Sequence, residues 1–97
     1  MTLYINTKDR NNICVCLKKD GKIVKSLSEE NEYGSQILLP LIIKLLRKTR
    51  NKIESIEVET GPGSFTGIRV GVSVANALAY SLNIPVNGKK IETDLVY

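Results

Sequence analysis

Chemistry could reside in three groups of residues. The first is TGPGSFTG, Thr60 to Gly67, where Gly61, Gly63, Ser64 and Gly67 follow an alternating strand and open an apolar helix. Arg69 is the single charge between Thr60 and Gly88. Free backbone N–H groups and a helix dipole at such a junction attract anions, which makes Gly61, Gly63, Ser64 and Arg69 a candidate anion loop. The loop departs from both nucleotide patterns: a Walker loop needs lysine where Ile68 stands, and the dinucleotide GxGxxG needs glycine at Thr66. The alternative is a tight strand-to-helix turn, with Ser64 as N-cap and glycines where the backbone meets a neighbour.

The second group is Glu57 and Glu59 in SIEVET, which read either as a carboxylate pair for acid–base work or as the solvated face of a strand. The third is Cys14 and Cys16. Two apart on a strand, they share a face, a spacing that suits neither a disulfide nor the paired CxxC of a zinc site, so they read as plain strand residues. The chain has no histidine. Imidazole acid–base catalysis, Ser-His triads and most transition-metal sites are thereby removed, and no metal or cofactor is expected.

Ninety-seven residues suffice for one domain with one core. Fourteen lysines and arginines against ten acids give a net charge of +4, mostly from scattered lysines. Such a surface can meet RNA phosphates, although no aromatic residues interleave with the charges as single-strand binders require. The other reading is an Ile-, Lys- and Asn-rich composition without a partner. No apolar run reaches the roughly 20 residues of a membrane span, and MTLYINTKDRNN lacks the regions of a signal peptide. The expectation is a cytoplasmic protein with no membrane contact.

The elements that must hold these groups follow from periodicity. TLYIN (Thr2 to Asn6) and ICVCLKK (Ile13 to Lys19) read as strands, and Asp20-Gly21 turns the second into KIVKSLS (Lys22 to Ser28). A helix over GSQILLPLIIKLLRKTR has Ser35 as cap, Lys44, Arg47, Lys48 and Arg50 toward its C-terminal end, and Pro40 as the source of a kink. SIEVET (Ser55 to Thr60) is a fourth strand, Phe65 or Thr66 to Leu82 a second helix, and IPVNG the start of a fifth strand. The pattern gives an α/β domain with a mixed sheet and both helices on one face.

In the first helix, Ile37, Leu38, Leu39, Leu41, Ile42, Ile43, Leu45 and Leu46 fill an arc of about 240°, more than twice the stripe a helix on a sheet requires. In the second, Gly67, Gly71, Ala75 and Ala79 recur every four residues and form a strip of minimal side chains. Such a strip permits close approach of another backbone, in the chain itself or in a partner. The expected partner face comprises Leu38, Leu39, Ile42, Ile43, Leu46, Ser64, Phe65, Gly67, Ile68, Gly71, Val72, Ala75 and Ala79. Gly71→Leu or Ala75→Leu would then block pairing and leave the monomer folded.

GPGSFTGIRVGVSVANALA, Gly61 to Ala79, resembles the signature of the TsaB (YeaZ) family, with looser likeness in the N-terminal strand, DGKIV, SQILLPLI and NIPVNG. The likeness covers nearly all of this chain and the N-terminal half of a typical member, so a single N-terminal lobe without the family's C-terminal lobe is expected. It implies an RNase H-like lobe of the actin, hexokinase and Hsp70 superfamily with five strands. It also implies a non-catalytic accessory subunit in threonylcarbamoyladenosine synthesis on tRNA. Its two helices would bind a TsaD-like catalytic subunit, and a TsaE-like ATPase would join. Apart from the resemblance, the apolar arc of the same helices would equally be hidden in a homodimer when the chain is alone. Where the family often has Asp-Thr after its first strand, this chain has Asn6-Thr7, and NEYGSQ lacks the histidine often found there. Both departures weaken any remnant of a nucleotide site.

Overall fold

The computed structural model describes residues 1–9, 11–30, 34–47 and 52–96, with the backbone alone at 34 and 35. β1 (Thr2–Asp9), β2 (Asn12–Lys19) and β3 (Lys22–Glu30) form an antiparallel meander. α1 (Gly34–Leu46) then leads to β4 (Ser55–Val58), which pairs parallel with β1, and α2 (Phe65–Leu82) follows. The sheet order is β3-β2-β1-β4.

Side-chain alternation sets the two faces of this sheet. Leu3 and Ile5, Ile13, Val15 and Leu17, and Ile56 and Val58 share one core with Leu38, Leu41, Ile42 and Leu45 of α1 and Ile68, Val72, Ala75 and Ala79 of α2. Both helices therefore cover the same face. The turn between β2 and β3 uses the positive φ angles of Asp20 (53°) and Gly21 (78°), as the Asp-Gly pair predicts. α1 continues through Pro40. The proline removes a hydrogen bond to the Gln36 carbonyl, but Leu38, Leu41 and Ile42 around it are buried, and their packing holds the helix. Ser35 falls inside α1 rather than before it, and Lys48 and Arg50 lie outside the described residues.

The opposite face is polar and internally paired. Thr2 Oγ1 and Ser55 Oγ are 2.9 Å apart, and Lys18 Nζ lies 3.4 Å from Glu57 Oε2 and 4.3 Å from the centroid of the Tyr4 ring. Cys14 and Cys16 are free thiols with sulfurs 3.6 Å apart. Glu59 lies just beyond β4 and accepts a 2.7 Å bond from the Tyr4 hydroxyl, so the two glutamates serve separate partners.

Burial, then that bond and the charge of Glu59, push the Tyr4 phenol from 10.0 up to about 12. Because the folded value exceeds the unfolded one, the stabilisation by neutral Tyr4 is complete below pH 10 and is lost as pH rises toward 12. A phenolate absorbance titration of the wild type minus Tyr4→Phe should show a midpoint near 12, and Glu59→Gln should lower it. A difference midpoint at 10 would contradict the Tyr4–Glu59 bond.

The sheet has four strands, not five, among the described residues. Val86 makes a single parallel bridge to Ile56, and the chain then reverses at Asn87 (φ 51°) and Gly88 (φ 74°) so that Val86 bridges Lys89. The Asn87 side chain takes over the strand's task. Val58 N–H donates to Asn87 Oδ1 (2.9 Å), and Asn87 Nδ2 donates to the Val58 carbonyl (3.1 Å), which satisfies the edge of β4 as another peptide would.

Candidate functional site

The glycine loop is built against the end of β1. Ser64 N–H donates to the Lys8 carbonyl (2.8 Å), and Gly67 N–H donates to Ser64 Oγ (3.2 Å), which makes Ser64 the N-cap of α2. Thr7, buried at 2% exposure, donates its hydroxyl to the Gly67 carbonyl at 2.6 Å. A Cβ on Gly63 would stand 2.7 Å from the Lys8 carbonyl oxygen, while one on Gly67 would strike the Thr7 carbonyl and one on Gly71 the Thr7 hydroxyl. These glycines are where the helix and the strand touch. Removing the cap by Ser64→Ala should lower unfolding free energy by about 1 kcal/mol, measured by denaturant titration with an unchanged slope.

The candidate anion residues are thus placed for packing. The N–H and hydroxyl of Ser64 are used within the chain, and the Arg69 guanidinium lies 5.2 Å from the centroid of the Phe65 ring. Gly61, joined to Pro62 by a cis peptide, faces the carbonyl of Val96, whose N–H donates to the Thr60 carbonyl (2.8 Å).

The residues expected at a partner face divide into two sets. Leu38, Ile42, Leu46, Ile68, Gly71, Val72, Ala75 and Ala79 are buried in the chain's own core. The small-residue strip meets β1, because only glycine at 67 and 71 lets the helix come this near Thr7. The expectation that Gly71→Leu spares the monomer is therefore corrected. Ser64 and Gly67 are half-buried at the loop. Leu39, Ile43 and Phe65 remain at the surface, with Leu39 at 44% and Ile43 at 62% exposure.

Leu39 and Ile43 stand over a groove of about 480 Å³ between α1 and the C-terminal half of α2. Its walls are Leu39, Ile42, Ile43, Leu46 and Arg47 from α1 and Leu78, Ser81 and Leu82 from α2. α1 has more apolar width than the sheet covers, and the excess opens sideways toward α2. Leu78 ends a row with Val70 and Val74 that recurs every four residues beside the small strip, and all three are half-buried against the core. Among the described residues, no helix is long and apolar enough to cross a membrane.

The segment after α2 carries polar residues that sequence periodicity gave no means to find. Glu92 is buried and accepts bonds from Asn87 Nδ2 (2.9 Å), the Asp94 N–H (2.9 Å) and Lys89 Nζ (3.1 Å). Burial raises its carboxyl pKa, but these donors outweigh burial and hold it below the usual value. Asn76 of α2 clasps the Glu92 backbone with both ends of its amide. The network fastens the segment to the helix.

These features define an α/β domain with a mixed sheet, both helices on one face, a glycine turn locked to the first strand and an apolar groove between the helices. The family model for TsaD, tRNA N6-adenosine threonylcarbamoyltransferase, matches residues 28–88, more than half of the chain. The tRNA threonylcarbamoyladenosine biosynthesis protein TsaB of Bacillus subtilis is 32% identical over 88 residues, covering 88% of this chain and 38% of that protein. The tRNA N6-adenosine threonylcarbamoyltransferase of Carboxydothermus hydrogenoformans is 41% identical over 69 residues, 70% of this chain and 20% of that protein. The solved structure of YeaZ from Pseudomonas aeruginosa superimposes with a TM-score of 0.76 at 31% identity, over 88% of this chain and 42% of that one. The chain belongs to this family, and within it to the TsaB (YeaZ) proteins. It spans less than half the length of each of these three relatives.

Proposed function

We propose that the chain is a non-catalytic subunit that holds a TsaD-like catalytic subunit through the α1–α2 groove and so supports threonylcarbamoyladenosine formation on tRNA. The observation that carries this reading is the groove itself. Leu39 and Ile43 are solvent-exposed large apolar side chains beside a concave apolar wall, on helices that have already covered the chain's own sheet. Apolar surface of this kind is stabilised by a partner, at about 25 cal/mol per Å² removed from water.

The relatives supply the pathway. The Bacillus protein is named for threonylcarbamoyladenosine biosynthesis and the Carboxydothermus protein for the transfer step. A TsaE-like ATPase and the tRNA join the resulting assembly in the cytoplasm. The test is light scattering on a size-exclusion column, with the chain mixed with the TsaD-like protein of the same organism. An equimolar complex is expected; two components that elute independently at micromolar concentration would overturn the reading.

A further inference from the structure

Cys14 and Cys16 alternate with the core residues of β2 and so stand on the polar face of the sheet, away from both helices, with sulfurs 3.6 Å apart. Both are free thiols; Cys14 is half-buried and Cys16 is buried. The strand register fixes their surroundings. Cys14 lies between Asn6 of β1 and Ser28 of β3, and Cys16 between Tyr4 and Ser26. Among the described residues no three His, Cys, Asp or Glu side chains gather where they could hold a metal ion. The pair therefore offers two sulfur ligands and no third. Neither thiol has a part in the proposed function, because the α1–α2 groove lies on the other face.

We propose that Cys14 and Cys16 form a chelating site for trivalent arsenicals, in which one arsenic atom bonds both sulfurs and keeps a third substituent of its own. The separation of the sulfurs points to a bridging atom. One atom joined to both at about 2.3 Å, the length of a zinc–thiolate bond, holds them about 3.3–3.8 Å apart for bond angles of roughly 90–110°. The observed 3.6 Å falls inside that interval. Zinc itself would lack two of its four ligands, whereas three-coordinate arsenic needs only the two sulfurs. With an arsine oxide, two S–H bonds and the arsenic–oxygen bond break and two arsenic–sulfur bonds form. The oxygen leaves as water with both thiol protons, and arsenic stays trivalent, so no oxidant or reductant is required. Burial, then the bond to Cys16 and its charge, raise the Cys14 thiol above its ordinary value, so this thiol keeps its proton at neutral pH. A metal cation would have to expel that proton, while the arsenical carries it off as water. Cys14, nearer the solvent, makes the first bond. Cys16 then closes the ring within one molecule, where its effective concentration is high.

The test uses the reduced, folded chain and phenylarsine oxide, read by native mass spectrometry and by titration of free thiols. One phenylarsenic group should be gained and two hydrogens lost per chain, with both thiols blocked and the circular dichroism unchanged. The adduct should survive excess mercaptoethanol and be removed by dimercaptopropanol, because only a second chelating dithiol competes with two linked bonds. Cys14→Ser and Cys16→Ser should each bind at least about a hundredfold more weakly and release the arsenical to mercaptoethanol. Position 14 is half-exposed, so Cys14→Ser should fold and decides the matter even where Cys16→Ser does not. Zinc ions at equal concentration should give the thiols no protection. A folded wild type that stays unmodified, or reacts only in denaturant, would overturn the proposal. So would a Cys14→Ser adduct that resists mercaptoethanol as the wild type does, or protection of the thiols by zinc.

Discussion

Gly71→Leu should cost the chain about 2–6 kcal/mol and leave much of it unfolded. Overpacking a core typically costs about 1–3 kcal/mol, and at this site the neighbour cannot yield freely. The new side chain would strike the Thr7 hydroxyl, and that hydroxyl is already engaged with the Gly67 carbonyl at 2.6 Å. Rotating Thr7 away would strand its buried hydroxyl, adding roughly 1–3 kcal/mol. For a domain of this size the combined loss approaches the whole of its stability. Amide dispersion in a proton–nitrogen correlation spectrum is the measurement. A dispersed, native spectrum for Gly71→Leu would show that α2 does not seat on β1 as described.

The double variant Leu39→Glu/Ile43→Glu should do the opposite, keeping the fold and losing the partner. Both side chains are exposed, at 44% and 62%, and neither belongs to the buried core. Two carboxylates at the mouth of an apolar groove would have to be desolvated on docking, and the few hot-spot positions of an interface contribute about 2 kcal/mol or more each. Affinity for the TsaD-like subunit should therefore fall by about a hundredfold or more, read by calorimetry beside an unchanged thermal melt. Wild-type affinity in the folded variant would remove the groove from the interface. Together the two substitutions separate surface that builds the domain from surface that meets another protein.

Much of the fold was legible because local chemistry and tertiary packing agree. Asp20-Gly21 can hardly be anything but a hairpin turn, Ser64 stands where an N-cap belongs, and Ile13, Val15 and Leu17 alternate against Cys14, Cys16 and Lys18. The small-residue strip was legible as a contact and illegible as to its partner. Glycines every four residues report that some backbone comes close, and a sheet and a second chain produce the same pattern. The missing clue lay sixty residues away, in Thr7, a polar residue that continues the buried alternation of Leu3 and Ile5 and bonds to Gly67. The fifth strand failed for another reason. IPV is apolar enough for a strand, but Asn87-Gly88 is itself a hairpin signal, and it turns the chain after one bridge. The burial of Glu92 depends on Asn76, Asn87, Lys89 and Asp94 meeting through the tertiary fold, which periodicity does not encode.

The seating of α2 on β1 also governs when the domain can form. β1 is made before the elements that complete its packing: its parallel partner β4 begins at Ser55 and its closest helical contact is at Gly67. Until then the β1–β2–β3 meander has only α1 to cover it, and Leu3 and Ile5 of β1 lack the helix that packs on them. Closing so long a loop must precede most of the stabilising contacts, which makes folding slow for a chain of this length. During synthesis the nascent chain therefore presents the β1 part of its apolar sheet uncovered for as long as α2 remains within the exit tunnel, and this interval is when a chaperone would have most to protect.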